Sequence, residues 1–194
     1  MMTYLVVLAV LLGLGWYLSL YASRLDRLHQ RVIAARISLE VQLARRAAVA
    51  LDVVELLDPA SGLLVGDAVA RSLERQPEPG TVPESMGVDA ELEEVESDLT
   101  GALVAVFDSP ERVGELQQLA GSGGAIARLQ YACLRVQLAR RFHNDAVAGA
   151  QRVRRKRVVR WARLAGYADW PQMVEMDDTV PPGLVDLPPE QADP

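Results

Sequence analysis

Cysteine, lysine, histidine and aromatic side chains are all scarce in this chain, and each shortage removes a class of function. Cys133 is the single cysteine in 194 residues. No intrachain disulfide and no cysteine-rich zinc cluster can therefore form, and a reducing compartment is compatible with the sequence. The two histidines, His29 and His143, fall in no H-E-x-x-H motif, and no Glu-x-x-His pair of the kind that builds helical di-metal sites is present. There is no glycine-rich phosphate loop between a strand and a helix, and no G-x-S-x-G elbow. The chain is expected to be no enzyme and to hold no cofactor and no metal. Aromatic residues make up only 5% of it, and Lys156 is the sole lysine beside an abundance of arginine. No segment alternates apolar and polar residues as a half-buried strand does. Ala, Leu and Arg dominate instead, the residues that lose least on entering a helix. An Arg-for-Lys bias of this kind also suits a GC-rich bacterial genome.

Charge is missing altogether from Tyr4 to Ala22, "YLVVLAVLLGLGWYLSLYA". As a helix, this run extends about 28 Å, close to the thickness of a bilayer's hydrocarbon core. Tyr4 stands near one end and Trp16, Tyr17 and Tyr21 near the other, as interfacial aromatics do. A cleaved signal peptide needs a basic start and a shorter apolar run, and MMTY carries no base. The expectation is a retained single-pass transmembrane helix over 4–22, with 1–3 outside. Arg24, Arg27 and Arg31 follow the span at once and no base precedes it, so the bulk of the chain is expected on the cytoplasmic side of the inner membrane. Ala9 and Gly13 form a small-x-x-x-small pair, a pattern found on helix dimer faces and common in spans generally.

The net charge of −6 conceals a segregation. Acids dominate from Ser61 to Ala127, and from Arg128 to Arg163 Asp145 is the only acid among many bases. Beyond the span, Leu25, Leu28, Val32, Ala35 and Leu39 fall in alternating steps of three and four, and Leu43, Ala47, Ala50, Val54 and Leu57 continue the stripe one residue out of phase. A long helix is predicted to "DPASG" at 58–62. A short helix over 63–75, a Pro/Gly linker over 77–87, and a helix over 89–107 with Leu92, Val95, Leu99, Leu103 and Val106 on one face are predicted next. The acids at its start, Glu91, Glu93, Glu94, Glu96 and Asp98, suit the positive end of a helix dipole. "DSP" at 108–110 opens a further turn, "GSGG" at 121–124 breaks the chain, and a last long helix is predicted from about Ala125 towards Leu164. Its stripe is Ile126, Leu129, Cys133, Val136, Ala139, Phe142, Ala146, Gly149 and Val153. The acidic, Pro-rich end, 167–194, is predicted to be a tail, disordered from Asp177 on. The fold class is all-α: one transmembrane helix, an antiparallel bundle of long, coiled-coil-like helices over 24–166, and that tail.

Two runs share six residues, VQLARR at 41–46 and at 136–141. Arg45, Arg46, Arg140 and Arg141 thus lie just off the apolar stripes, either as anchors for an acidic partner or facing water and the 89–98 acids. Asn144 and Asp145, mid-helix near the stripe, are candidates for a bond across the bundle to Arg45 or Arg46 that fixes register.

These runs sit where two motifs of the LemA family sit, and the chain resembles that family. After the span come Tyr21, Leu25, Leu28, Val32 and Ala35, then "EVQLARR" at 40–46 with Leu51 and Val54 following; "ARRFHNDAV" at 139–147 is similar to the family's A-R-R-aromatic-aromatic-N-D-A-V. The resemblance covers roughly 21–54 and 136–147. It implies a short exterior segment, one span and a cytoplasmic helical bundle, and it adds little about biochemical role. Arg36 stands where the family has tryptophan, and Cys133–Leu134 where it has Glu-Asn. "QRVRRKRVVRWARLAG" replaces the family's Pro- and Phe-rich stretch, which marks a divergent branch.

That replacement is the most distinctive segment of the chain. Arg152, Arg154, Arg155, Lys156, Arg157, Arg160 and Arg163 are interleaved with Val158, Val159, Trp161 and Leu164. Three partners suit it: the anionic inner leaflet, at about 1 kcal/mol per base near the surface; the acids of 89–98 or of a partner protein; and, least well, nucleic acid phosphates. If the bundle crosses an even number of times, this end returns to the membrane. The function expected is a membrane-anchored scaffold that docks an unidentified protein partner near the inner leaflet, with homo-oligomers open to it. The alternative is a regulatory module in which the acidic tail or acidic helix competes for the basic helix.

Overall fold

The computed structural model describes residues 2–77, 89–120, 123–161 and 169–185. Among them every regular element is a helix: α1 (Met2–Val54), α2 (Pro59–Arg75), α3 (Ala90–Val106), α4 (Pro110–Ala120), α5 (Gly123–Arg154), and two short ones, α6 (Arg157–Trp161) and α7 (Pro182–Val185). The linker predicted at 77–87 lies, apart from Pro77, outside the described residues.

α1 is unbroken for 53 residues, about 80 Å. No Gly or Pro interrupts it beyond Gly15, and it joins two segments of different character. From Met2 to Tyr17 every side chain is exposed, with Leu, Val, Trp and Tyr all around the helix. It is the one helix among the described residues long and apolar enough to cross a membrane. From Leu25 onward a single stripe turns inward: Leu25, Val32, Leu39, Leu43, Ala47, Ala50 and Val53 are buried.

The chain then folds back on itself. Asp58 caps α2, accepting from the backbone N–H groups of Ala60 and Ser61, and Pro59 occupies the first helical turn, where its missing N–H costs nothing. Asp89 caps α3 in the same way through Glu91 N–H. α1, α2, α3 and α5 form an up-and-down body, with α4 across the end remote from the apolar segment. Their buried faces meet in one core that includes Ala50, Val69, Leu103, Phe107, Ile126 and Leu129. α2 and α3 are too short to follow α1 all the way back. Below the body, α1 and α5 form an antiparallel neck, closed first by Val32 against Ala146, Val147 and Ala150, then by Leu25 against Val153 of α5 and Val159 of α6.

Two expectations are corrected. Phe142 and Gly149 do not lie on the buried stripe of α5; Phe142 is 58% exposed, and His143, Val147 and Ala150 face inward instead. The stripe rotates because its true period is 3.6 residues, so successive steps of three and four cannot all fall where a fixed template puts them.

The second correction concerns the tail. Residues 169–185 are not loose. They run along the seam between α3 and α5 as an extended strap. Asn144 clamps it by accepting from Val174 N–H (2.9 Å) and donating to Val174 C=O (3.0 Å). Gln151 donates to Pro171 C=O, and Ser97 Oγ accepts from Asp177 N–H. Val174, Met176 and Leu184 are buried. At its far end Gly183 N–H bonds Phe107 C=O, so close that a Cβ there would stand 2.5 Å from Ser109 O; only glycine fits. Acidic, Pro-rich composition argued for disorder, but three apolar side chains and the spare hydrogen-bonding groups of α3 and α5 outweigh it. Residues 186–194 lie outside the described residues.

Candidate functional site

At the centre of the body lies a buried charge network that draws on the acidic start of α3. Arg46 is 2% exposed and Glu96 is fully buried. Arg46 Nη2 donates to Glu96 Oε2 at 2.7 Å and to the Glu96 carbonyl at 3.0 Å, while Nη1 donates to Thr100 Oγ1 at 2.9 Å. The other Glu96 oxygen accepts from Ser72 Oγ at 2.6 Å and Gln76 Nε2 at 2.8 Å. Thr100 Oγ1 also stands 2.9 Å from the Asp177 carbonyl, so the network reaches the strap. One arginine thus ties α1 to α3, α2 and the C-terminal segment. Two buried charges hold each other only when all their remaining polar groups are bonded, which is nearly so here.

Two further α3 acids, Asp98 and Glu91, and the cap Asp89 are met by α2. Arg71 pairs with Asp98 at 2.7 Å and with Asp67 at 3.2 Å, and Arg75 reaches Asp89 and Glu91. These pairs are exposed and contribute little individually.

Arg45 and Arg141 face outward. Arg140 grips Asp178 in a two-pronged bond, at 2.6 and 2.8 Å, again fixing the strap. Asn144, expected to reach Arg45 or Arg46, bonds the backbone of Val174; Asp145 is exposed. His143 lies buried under the strap with Nε2 3.4 Å from Gln172 O and Nδ1 unpartnered. Burial, and to a smaller degree Arg36, lowers its pKa below the ordinary 6.5, the Gln172 carbonyl opposing them. Burial also raises the pKa of the Cys133 thiol, which leaves it a small apolar core group.

The basic segment lies at the opposite end of the neck, beside the foot of the apolar helix. α5 ends at Arg154, and after a break α6 carries Arg157 to Trp161. Lys156 Nζ stands 5.7 Å from the centre of the Tyr21 ring, the last aromatic of the apolar segment. Val153 and Val159 pack on Leu25 and Tyr21 below it. Arg152, Arg155, Lys156, Arg157, Arg160 and Trp161 are exposed, Trp161 by 79%. Arg154 is half-buried: it donates to the Asp169 carbonyl and lies 5.1 Å above the Trp170 ring, with Arg155 at 5.9 Å. Arg163 lies outside the described residues. Exposed cations, Trp161 and the half-exposed Trp170 therefore form one collar beside the point where the apolar helix emerges.

Glu96, Ser72, Thr100 and the strap escaped the sequence reading. Glu96 looked like one acid among five. The strap did carry a signal: Val174 and Met176 turn inward while Glu175 and Asp177 turn outward, the period of two of an extended segment. Among the described residues no group of three or more His, Cys, Asp or Glu is placed to hold a metal ion.

The class defined by these features is an all-helical bundle on a neck, continuous with a helix long enough to span a bilayer. No protein-family model matches the chain, and no curated protein or solved structure matches it.

Proposed function

We propose that this protein is a membrane-anchored scaffold of LemA type, held by the 4–22 span and seated on anionic lipid by the basic collar at the base of its neck. The observation that carries this reading is the contact of Lys156 with Tyr21. α5 returns along the part of α1 beyond the apolar segment, and with α6 it delivers six described bases to the level at which an interfacial aromatic belt and the lipid headgroups would lie. Of the acids of α3, the competing sink for those bases, Glu96, Asp98 and Glu91 are paired with Arg46, Arg71 and Arg75. Arg24, Arg27 and Arg31 on the same side favour a cytoplasmic body. The LemA likeness rests on the two motifs around 21–54 and 136–147, whose polar groups here tie the bundle together: Arg46 through Glu96, and Arg140 and Asn144 through the strap.

The test uses the full chain in vesicles of phosphatidylglycerol or of phosphatidylcholine alone. With Trp16 of the span replaced by Phe, Trp161 and Trp170 should be quenched by brominated lipid chains or headgroup quenchers only when anionic lipid is present, and less so in high salt. Replacing Arg155, Lys156, Arg157 and Arg160 by Gln should remove the difference between the two lipids. Equal quenching in both lipids, unmoved by salt or by the substitutions, overturns the lipid seat.

One contact favours a second reading, in which the C-terminal segment regulates the collar: the strap begins by covering Arg154 with Asp169 and Trp170. Deleting 169–194, which removes Asp169 and Trp170 with the rest of the strap, separates the two. Regulation requires a gain in lipid or partner binding; a scaffold held together by its strap loses stability instead.

A further inference from the structure

We propose that the protein associates with a second copy of itself head to tail, the outward face of α5 on one copy seating in the groove between α2 and α3 on the next. α5 is apolar on two sides. Opposite its buried row, Tyr131, Leu134, Leu138 and Phe142 recur at steps of three, four and four and are 52, 44, 42 and 58% exposed. Such a row on a surface helix marks a contact face. Arg128, Arg135 and Arg141 flank it, all exposed, with Asp145 the one acid on this stretch of α5.

The α2–α3 groove has the opposite character. It encloses about 300 Å³ and is floored by small residues, Ala68, Gly101, Ala102 and Ala105, with Leu64 on its rim and the Arg71–Asp98 pair at its end. Its surroundings carry a net acidic charge: Arg71 pairs with Asp67 and Asp98 and Arg75 with Glu91, and Glu74 and Glu94 are exposed beside them. Bulky side chains with basic flanks thus match a small-floored groove with acidic flanks on the same molecule.

Charge also decides the symmetry. An α5–α5 pairing would set arginines against arginines, and a groove–groove pairing would set acids against acids with nothing to fill the space. Only the unlike pairing satisfies both. The heights agree as well. Leu129 and Cys133 of α5 share a core with Ala68 and Ala102, so Tyr131 and Leu134 stand level with the groove. Copies anchored in one membrane would then meet side by side; a heterologous contact of this kind builds rings or rows. The inference goes beyond the anchoring reading and uses it only for the common orientation of the copies.

The test is disulfide trapping of the full chain in phosphatidylglycerol vesicles, with Cys133→Ser as background. Leu134→Cys and Gly101→Cys chains are oxidised separately and mixed. A 134–101 cross-link in the mixture, with each variant alone giving little product, is expected. Gly101→Leu should lower the cross-link between Leu134→Cys and a second groove cysteine, Ala105→Cys, by about tenfold. A Cβ at position 101 meets nothing within 4 Å in the isolated chain, so this variant should fold, which circular dichroism checks. Flotation of the same vesicles reports anchoring independently. A 134–134 product as abundant as 134–101 overturns the proposal. So does no cross-link in chains that float, or a Gly101→Leu yield equal to that without it.

Discussion

The run Val-Gln-Leu-Ala-Arg-Arg occurs at 41–46 in α1 and at 136–141 in α5, and its two copies bury opposite sides. In α1, Leu43 and Arg46 are buried while Val41 and Arg45 are exposed; in α5, Val136 and Ala139 are buried while Leu138 and Arg141 are exposed. A hexapeptide has fewer than two turns and cannot set its own phase. The flanking residues set it: Leu39, Ala47 and Ala50 in α1, Leu129, Cys133 and Val147 in α5. The same six side chains then do different physical work. The first copy stands where α2 and α3 surround α1, so its last arginine finds Glu96, Thr100 and a dry site. The second stands at the seam beside the strap, so its first arginine finds Asp178 and its last finds water.

Removing the last arginine of each copy is the sharpest way to break this comparison. Arg46→Met strands the buried Glu96 carboxylate and is expected to cost about 3–5 kcal/mol. Arg141→Met should stay within about 0.5 kcal/mol of the parent. Urea denaturation of the full chain in detergent measures both. Arg46→Met combined with Glu96→Leu should recover much of the loss, because no uncompensated charge remains.

The second copy is tested through the strap. Asn144→Ala leaves Val174 N–H and C=O without their partner and is expected to cost about 1–3 kcal/mol. Limited proteolysis should then cut within 169–185 well before it cuts the helices. In Arg45→Ala, at the place corresponding to Arg140, the strap should stay as resistant as in the parent.

A smaller effect concerns pH. His143 sits under the strap, and burial lowers its pKa below 6.5, so the folded state holds it neutral. As pH falls through 6.5 the unfolded chain takes up a proton first, and stability should decline until the folded-state pKa is reached. His143→Gln should flatten that decline below pH 6.5 and leave stability near pH 8 little changed. His29, whose pKa burial and Arg154 also lower, should supply what slope remains. An unaltered slope in His143→Gln would place the titration elsewhere.

The bundle was legible because its signals are local and repeated. Leu25 to Ala50 in α1, and Leu92 to Val106 in α3, show their buried faces in the spacing alone, and Tyr4 to Ala22 declares itself by the absence of charge. The fate of Arg46 was not legible, because burial of an arginine depends on which acid another helix brings to it. Nor was the strap, since its order rests on groups offered by Asn144, Ser97 and Phe107, far away in sequence. The collar was half legible: its composition stood out, while its place beside Tyr21 depended on how many times the bundle crosses.

The central claim is that place, and a depth measurement tests it most directly. Spin labels at Arg160→Cys and at Leu63→Cys, each in a Cys133→Ser full chain reconstituted with phosphatidylglycerol, sample the two ends of the molecule. A headgroup-level signal at 160 together with an aqueous one at 63 is the expected result. Labels equally remote from the bilayer at both positions would contradict it.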